Sequence, residues 1–220
     1  MPGSSTQKSK AAQVLAEVLP GASAPAGGRG LAGRHEVGAK IRTARKERKL
    51  TLQQVAQRSG LAVSTVSKAE RGLIALSYEK VLQLGRALDI DMTRLFMPAS
   101  AQLGSGAAEP PTFVKDRFED VQRYETDQYE YSVLCGAFPG KKMQPLVALI
   151  NAREAHDFSE TIRHPGQEFV MVLSGRVRIL FENGETVELG LHEAAYFDSG
   201  VGHIYISLSR LPAQVLSVCC

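Results

Sequence analysis

Tryptophan is absent from the 220 residues, cysteine occurs three times, and aromatic residues make up only 6% of the chain. No apolar run approaches the ~20 residues that span a bilayer, which excludes a helical membrane anchor. The stretch Ala11–Leu19 imitates a signal-peptide core behind Lys8 and Lys10, but Gln13 and Glu17 interrupt it. Cys135, Cys219 and Cys220 are odd in number and two are adjacent, so they do not make the disulfide framework of a small secreted protein. A reducing, cytoplasmic location is the expectation, with no membrane among the partners.

Charge is more telling when it is divided along the chain. The net value is +3, yet residues 34–96 carry 13 Lys/Arg against 6 Asp/Glu, while residues 97–220 carry 10 against 16. A basic block joined to an acidic one suggests that only the first part meets a polyanion. Texture divides the chain in the same place. Residues 1–33, rich in Gly, Ala, Ser and Pro, read as a disordered arm. Helical patterning starts near Arg34, where Val37, Ile41 and Ala44 recur at helical spacing. Thr51 with Gln54 forms a capping box for a helix that stops at Gly60. A third helix is expected from Val63 to Gly72, a fourth over Tyr78–Leu88 and a fifth over Asp91–Phe96. A linker, 97–112, follows, dominated by small residues, Gly and Pro.

Beyond it the texture is that of strands. Tyr129–Phe138, Leu146–Asn151, Glu168–Leu173, Val177–Phe181, Thr186–Leu189, Ala194–Phe197, His203–Leu208 and Gln214–Val218 are short and rich in β-branched or aromatic residues. Turn signals such as Ser174-Gly175 and Asn183-Gly184 separate several of them. The fold class is therefore α+β in two domains: a five-helix head over 34–96 and an antiparallel sandwich or barrel over 113–220.

Within the head, Leu52–Leu73 reads LQQVAQRSGLAVSTVSKAERGL. Ala56 is small where two helices meet at a sharp angle, Gly60 is free to take positive φ, and Val55, Leu61, Val66 and Ala69 form an apolar inner face. This array resembles the helix-turn-helix of the xenobiotic-response-element and lambdoid phage repressor family over residues 36–96. The resemblance implies that the helix from Val63 enters the major groove. Val63, Ser64, Thr65, Ser67 and Lys68 are then candidates for base edges and nearby phosphates, and Thr51 and Gln53 for phosphate at a helix N-terminus. Arg45 and Glu70 match a structural ion pair of that family. Ala62 stands where relatives often carry a Ser or Thr cap.

In the second half, HPGQEFVMVLSG (164–175), followed by Gly190 and Gly202-His203, resembles the two signature motifs of the cupin superfamily. The resemblance implies a jelly-roll barrel and a metal set of His164, Glu168 and His203, with Ile162 in place of a further histidine. Two imidazoles and a carboxylate suit Zn, Fe, Ni or Mn as the divalent cofactor. The alternative is an organic effector with no metal, in a pocket built from Tyr131, Arg163, His164, Glu168, His203 and Tyr205. The resulting expectation is a DNA-binding transcription regulator, not an enzyme, and a homodimer on a double-stranded operator. Its cupin domain senses a small molecule or metal. A competing expectation is a metal-dependent cupin enzyme of oxygenase or epoxidase type that carries a helix-turn-helix.

Overall fold

The computed structural model describes residues 34–90 and 111–220, except Gln122. The expected arm, the fifth helix and nearly all of the linker lie outside the described residues.

Four helices are described: α1 (Arg34–Glu47), α2 (Leu52–Ser59), α3 (Val63–Glu70) and α4 (Tyr78–Ala87). The five-helix head is thus described as a four-helix unit. In α1, Val37, Ile41 and Ala44 are buried on one stripe, while Arg42 and Lys46, and Arg48 and Lys49 just beyond its end, stay exposed. Two reciprocal hydrogen bonds start α2: Gln54 N donates to Thr51 Oγ1 at 3.1 Å, and Thr51 N donates to Gln54 Oε1 at 2.8 Å. Gly60 ends it at φ 73°, a conformation that a Cβ would strain.

The tightest helix contact is one that the pattern of apolar residues did not show. A Cβ on Gly38 would lie 2.2 Å from the carbonyl oxygen of Ala69, so α1 and α3 touch backbone to backbone there. Val55, Val66, Val81, Leu84 and Leu88 fill the space between the helices with almost no exposure.

Nine strands follow: β1 (Arg123–Glu125), β2 (Tyr129–Val133), β3 (Gln144–Ile150), β4 (Gln167–Ser174), β5 (Val177–Phe181), β6 (Thr186–Leu189), β7 (Ala194–Asp198), β8 (His203–Ser207) and β9 (Ala213–Cys219). They form a six-stranded sheet in the order β1-β2-β3-β9-β4-β7 and a three-stranded sheet in the order β6-β5-β8. Every pairing is antiparallel. Among the described residues these sheets do not close into the barrel that the cupin resemblance implies. The chain changes sheets at sharp corners, at Gly175 (φ 77°) between β4 and β5 and over 199–202 between β7 and β8. Each corner interrupts the hydrogen-bond ladder. A single bridge, Ile162 with His203, adds to the smaller sheet.

The inner faces follow the period-two rule of strands. Glu168, Val170 and Val172 of β4 are buried while Phe169 and Met171 are less so, and Val215, Ser217 and Cys219 of β9 alternate likewise. The halves of the chain meet where the buried Tyr124 hydroxyl donates to the carbonyl of Leu76, and where Lys80 pairs with Glu160. No described helix is long and apolar enough to cross a membrane.

Candidate functional site

The outward face of α3 is the first candidate. Val63 is 45% exposed, Ser64 and Lys68 are exposed, and Thr65 and Ser67 are half-buried at its edge. Its inner side is anchored by Val66, Ala69 and Glu70. Glu70 accepts two hydrogen bonds from the Arg45 guanidinium, at 2.5 and 2.8 Å, and the same Arg donates to the carbonyl of Leu50 at 2.9 Å. The bond to Glu70 is the main reason the Arg45 pKa is pushed further up. Such a bidentate pair fixes α1 against α3 and leaves the reading face to other side chains.

Thr51 is exposed, but its hydroxyl is engaged in the capping box, so its side chain orders the start of α2. Gln53 is exposed beside it in the first turn. The N–H groups of that turn have no partner one turn back within α2, and they point outward with the positive end of the helix dipole. Ala62 takes an extended N-cap conformation (φ −62°, ψ 143°) with no side-chain cap bond, as its chemistry requires.

The second candidate is buried between the sheets. His164 Nε2 lies 3.2 Å from Glu168 Oε2, and His203 Nε2 lies 3.5 Å from the same oxygen. Tyr205 and Ser217 donate hydroxyl hydrogens to the other oxygen, Oε1, at 2.6 and 2.7 Å. Burial alone would push the Glu168 pKa up. Hydrogen bonds from His164 and His203, the charge of His203 and the Tyr205 hydroxyl outweigh it, and the carboxyl is held well below the usual range. The phenol of Tyr205 is pushed well up, first by burial and then by the neighbouring Glu168 charge, so it remains a donor.

His203 is aimed by its surroundings. Its Nδ1 lies 2.9 Å from the carbonyl oxygen of Val201, and its ring stands edge-on to Phe197 with centroids 4.9 Å apart. A carbonyl can only accept, so Nδ1 carries a hydrogen and Nε2 faces Glu168.

The structure therefore brings together His164, Glu168, His203 and Tyr205, and it divides the rest of the expected pocket. A cavity of about 30 Å³ lies beside Glu168, His203, Tyr205, Ser217 and Cys219, and Tyr131 lines it too. Arg163 is elsewhere: exposed, paired with Glu182, and lining a separate cleft of about 440 Å³. That cleft runs between the head, through Gly60, Leu61 and Lys80, and the sheets, through Gln128, Phe158 and Arg163. Tyr129, Tyr131 and Ile162 line both spaces. His35, His156 and His192 are exposed and apart from the buried site.

A space of about 30 Å³ holds a water or an ion, since one water needs ~10–15 Å³ on this measure, and it does not hold an organic molecule. The donors fit a divalent transition metal: the His164 imidazole, a charged carboxylate and the Cys219 thiol lie close enough to share one ion, with His203 3.5 Å from that carboxylate and oriented hydroxyls behind it. Sequence reading missed one neighbour. Among the described residues, the His164, Glu168 and Cys219 ligand atoms all lie within 4.8 Å of one another. The signal was present as the alternation Val215, Ser217, Cys219, which turns the last of these inward.

Residues 41–95 match the family model described as helix-turn-helix, and residues 152–219 match that of the cupin domain. Among solved structures, a helix-turn-helix family transcriptional regulator from Vibrio cholerae is 18% identical, covering 84% of this chain and 95% of its own, with a TM-score of 0.56. The hydroxypropylphosphonic acid epoxidase from S. wedmorenis is 18% identical over 87% of this chain and 100% of its own, at a TM-score of 0.45. No curated protein matches the sequence.

Proposed function

Because the chain pairs a helix-turn-helix domain of the xenobiotic-response-element type with a cupin domain, we propose that it is a cytoplasmic, sequence-specific transcription regulator whose cupin half modulates operator binding. The head is assigned to residues 34–96 and the sensor to 113–220, joined by the linker 97–112 and preceded by the arm 1–33. The observation that carries the proposal is the outward face of α3, polar and mounted on the buried Arg45–Glu70 pair within a block of 13 Lys/Arg against 6 Asp/Glu.

In this reading Ser64, Thr65 and Lys68 meet base edges and adjoining phosphates, with Val63 against a thymine methyl. Ser67 flanks them, and Thr51 and Gln53 present the start of α2 to phosphate. One head offers few base contacts, so a homodimer places two heads on half-sites ~34 Å apart. The metal set is His164, Glu168 and His203; the bound metal supplies a fixed positive charge that holds Glu168 and the imidazoles in one arrangement. The effector site is the cleft of about 440 Å³, which has the size of a metabolite pocket and includes the helix-turn-helix turn at Gly60 and Leu61. The cavity beside Glu168 is too small for an organic substrate, which favours sensing over catalysis.

The test is binding to genomic fragments selected by the protein itself. Affinity should fall steeply with salt, because Lys and Arg release counterions from phosphate. Thr65→Ala and Lys68→Ala should lower affinity for the selected site by roughly 1–3 kcal/mol each while changing random-DNA binding less. Salt-independent binding, or equal losses on both DNAs, would remove α3 from the role of reader.

A further inference from the structure

We infer that Cys219 is a thiolate ligand in the buried site, so that the metal is held by His164, Glu168 and Cys219, with His203 beside Glu168. The inference rests on the metal reading of that site and narrows it to a borderline-soft ion, of which zinc is the leading case.

Three observations carry it. The first is register. Cys219 on β9 is the cross-strand partner of Glu168 on β4, and both side chains point to the inner face, where they are 7% and 4% exposed. Their ligand atoms and that of His164 fall within 4.8 Å of one another, the span of donors around one ion. Ile162 cannot coordinate, and its backbone is tied to His203 by hydrogen bonds of 2.9 and 2.8 Å.

The second is orientation. Tyr205 and Ser217 donate to Oε1 of Glu168 at 2.6 and 2.7 Å, so Oε2 is the oxygen turned toward His164 at 3.2 Å and His203 at 3.5 Å.

The third is room. The cavity of about 30 Å³ is bordered by Glu168, His203 and Cys219 together, and Cys220, the next residue, is exposed on the other face. Sulfur with imidazole selects Zn²⁺, Co²⁺ or Ni²⁺ over Mn²⁺ and Mg²⁺, which prefer oxygen. Mn therefore leaves the set of candidate metals.

The probe is Co²⁺, added to full-length C135S/C220S protein, in which Cys219 is the only thiol. Visible d–d bands should appear together with a sulfur-to-cobalt charge-transfer band in the near ultraviolet. Adding C219S should abolish the ultraviolet band, keep weakened d–d bands and lower affinity at least about tenfold, no less than loss of an outer partner costs. X-ray absorption of the Zn²⁺-loaded C135S/C220S protein needs no change at Cys219, and should show one sulfur at ~2.3 Å beside N/O donors at ~2.0–2.2 Å. Bound Co²⁺ or Zn²⁺ without a sulfur signal overturns the role of Cys219 and leaves the His/Glu/His set. No bound metal in equilibrium dialysis overturns both.

Discussion

Glu70 and Arg45 show how much one buried pair settles at the scale of residues. Their side chains are 5% and 14% exposed, so solvent screens them little. Glu70→Ala strands a guanidinium beside the α1–α3 contact, and should destabilise the head by roughly 3–5 kcal/mol, read by urea unfolding. Replacing both by Met and Leu should restore most of that loss, because the desolvation cost leaves with the charges. A loss under 1 kcal/mol for Glu70→Ala would mean that the pair contributes little. This pair was legible in the sequence through the family resemblance, as was the set His164, Glu168 and His203 that the structure brings within 3.5 Å contacts. Cys219 was not, because a motif read as His and Glu at fixed spacing ignores a strand whose membership of the site depends on pairing. Arg163 failed for the opposite reason: next to His164 in sequence, it alternates to the outer side and meets Glu182.

Elements were most legible where a local chemical signal ends them. The capping box of Thr51 and Gln54 and the stop at Gly60 place α2 at Leu52–Ser59, and β5 and β6 have the bounds that their alternation predicts. β1, three residues long, has no periodicity to read, and it exists because β2 offers it a ladder. The same limit applies to closure, since corners such as Gly175 announce a turn without saying which sheet the next strand joins. The start of α3 offers a clean prediction. Ala62 has the backbone of an N-cap but no side-chain acceptor. Ala62→Ser should therefore stabilise the head by about 1 kcal/mol in chemical denaturation. A neutral or negative change would mean that the first turn of α3 is already satisfied by other groups.

For the molecule as a whole, what counts is whether the two halves respond as one, and the charge division said nothing about that. Tyr124 and Leu76 are far apart in sequence, and the sequence pattern marks no strand around Tyr124; only the fold makes its hydroxyl a donor to the head, 1% exposed. Lys80 and Glu160 add a second tie at the edge of the cleft that also includes Gly60 and Leu61. The exposed ion pair contributes at most ~1 kcal/mol, whereas the buried hydroxyl leaves an unsatisfied carbonyl when removed, so Tyr124 carries more of the coupling. Thermal unfolding followed by helical and aromatic circular dichroism reads this directly. Wild-type protein should unfold in one transition, and duplex DNA, which binds only the head, should raise the melting of both halves by mass action. Tyr124→Phe should separate two transitions, with DNA shifting only the helical one, while each half stays folded. If the variant still melts in a single step that DNA shifts throughout, the contact at Leu76 is not what joins reading to sensing, and the coupling must run through the linker or the partner subunit.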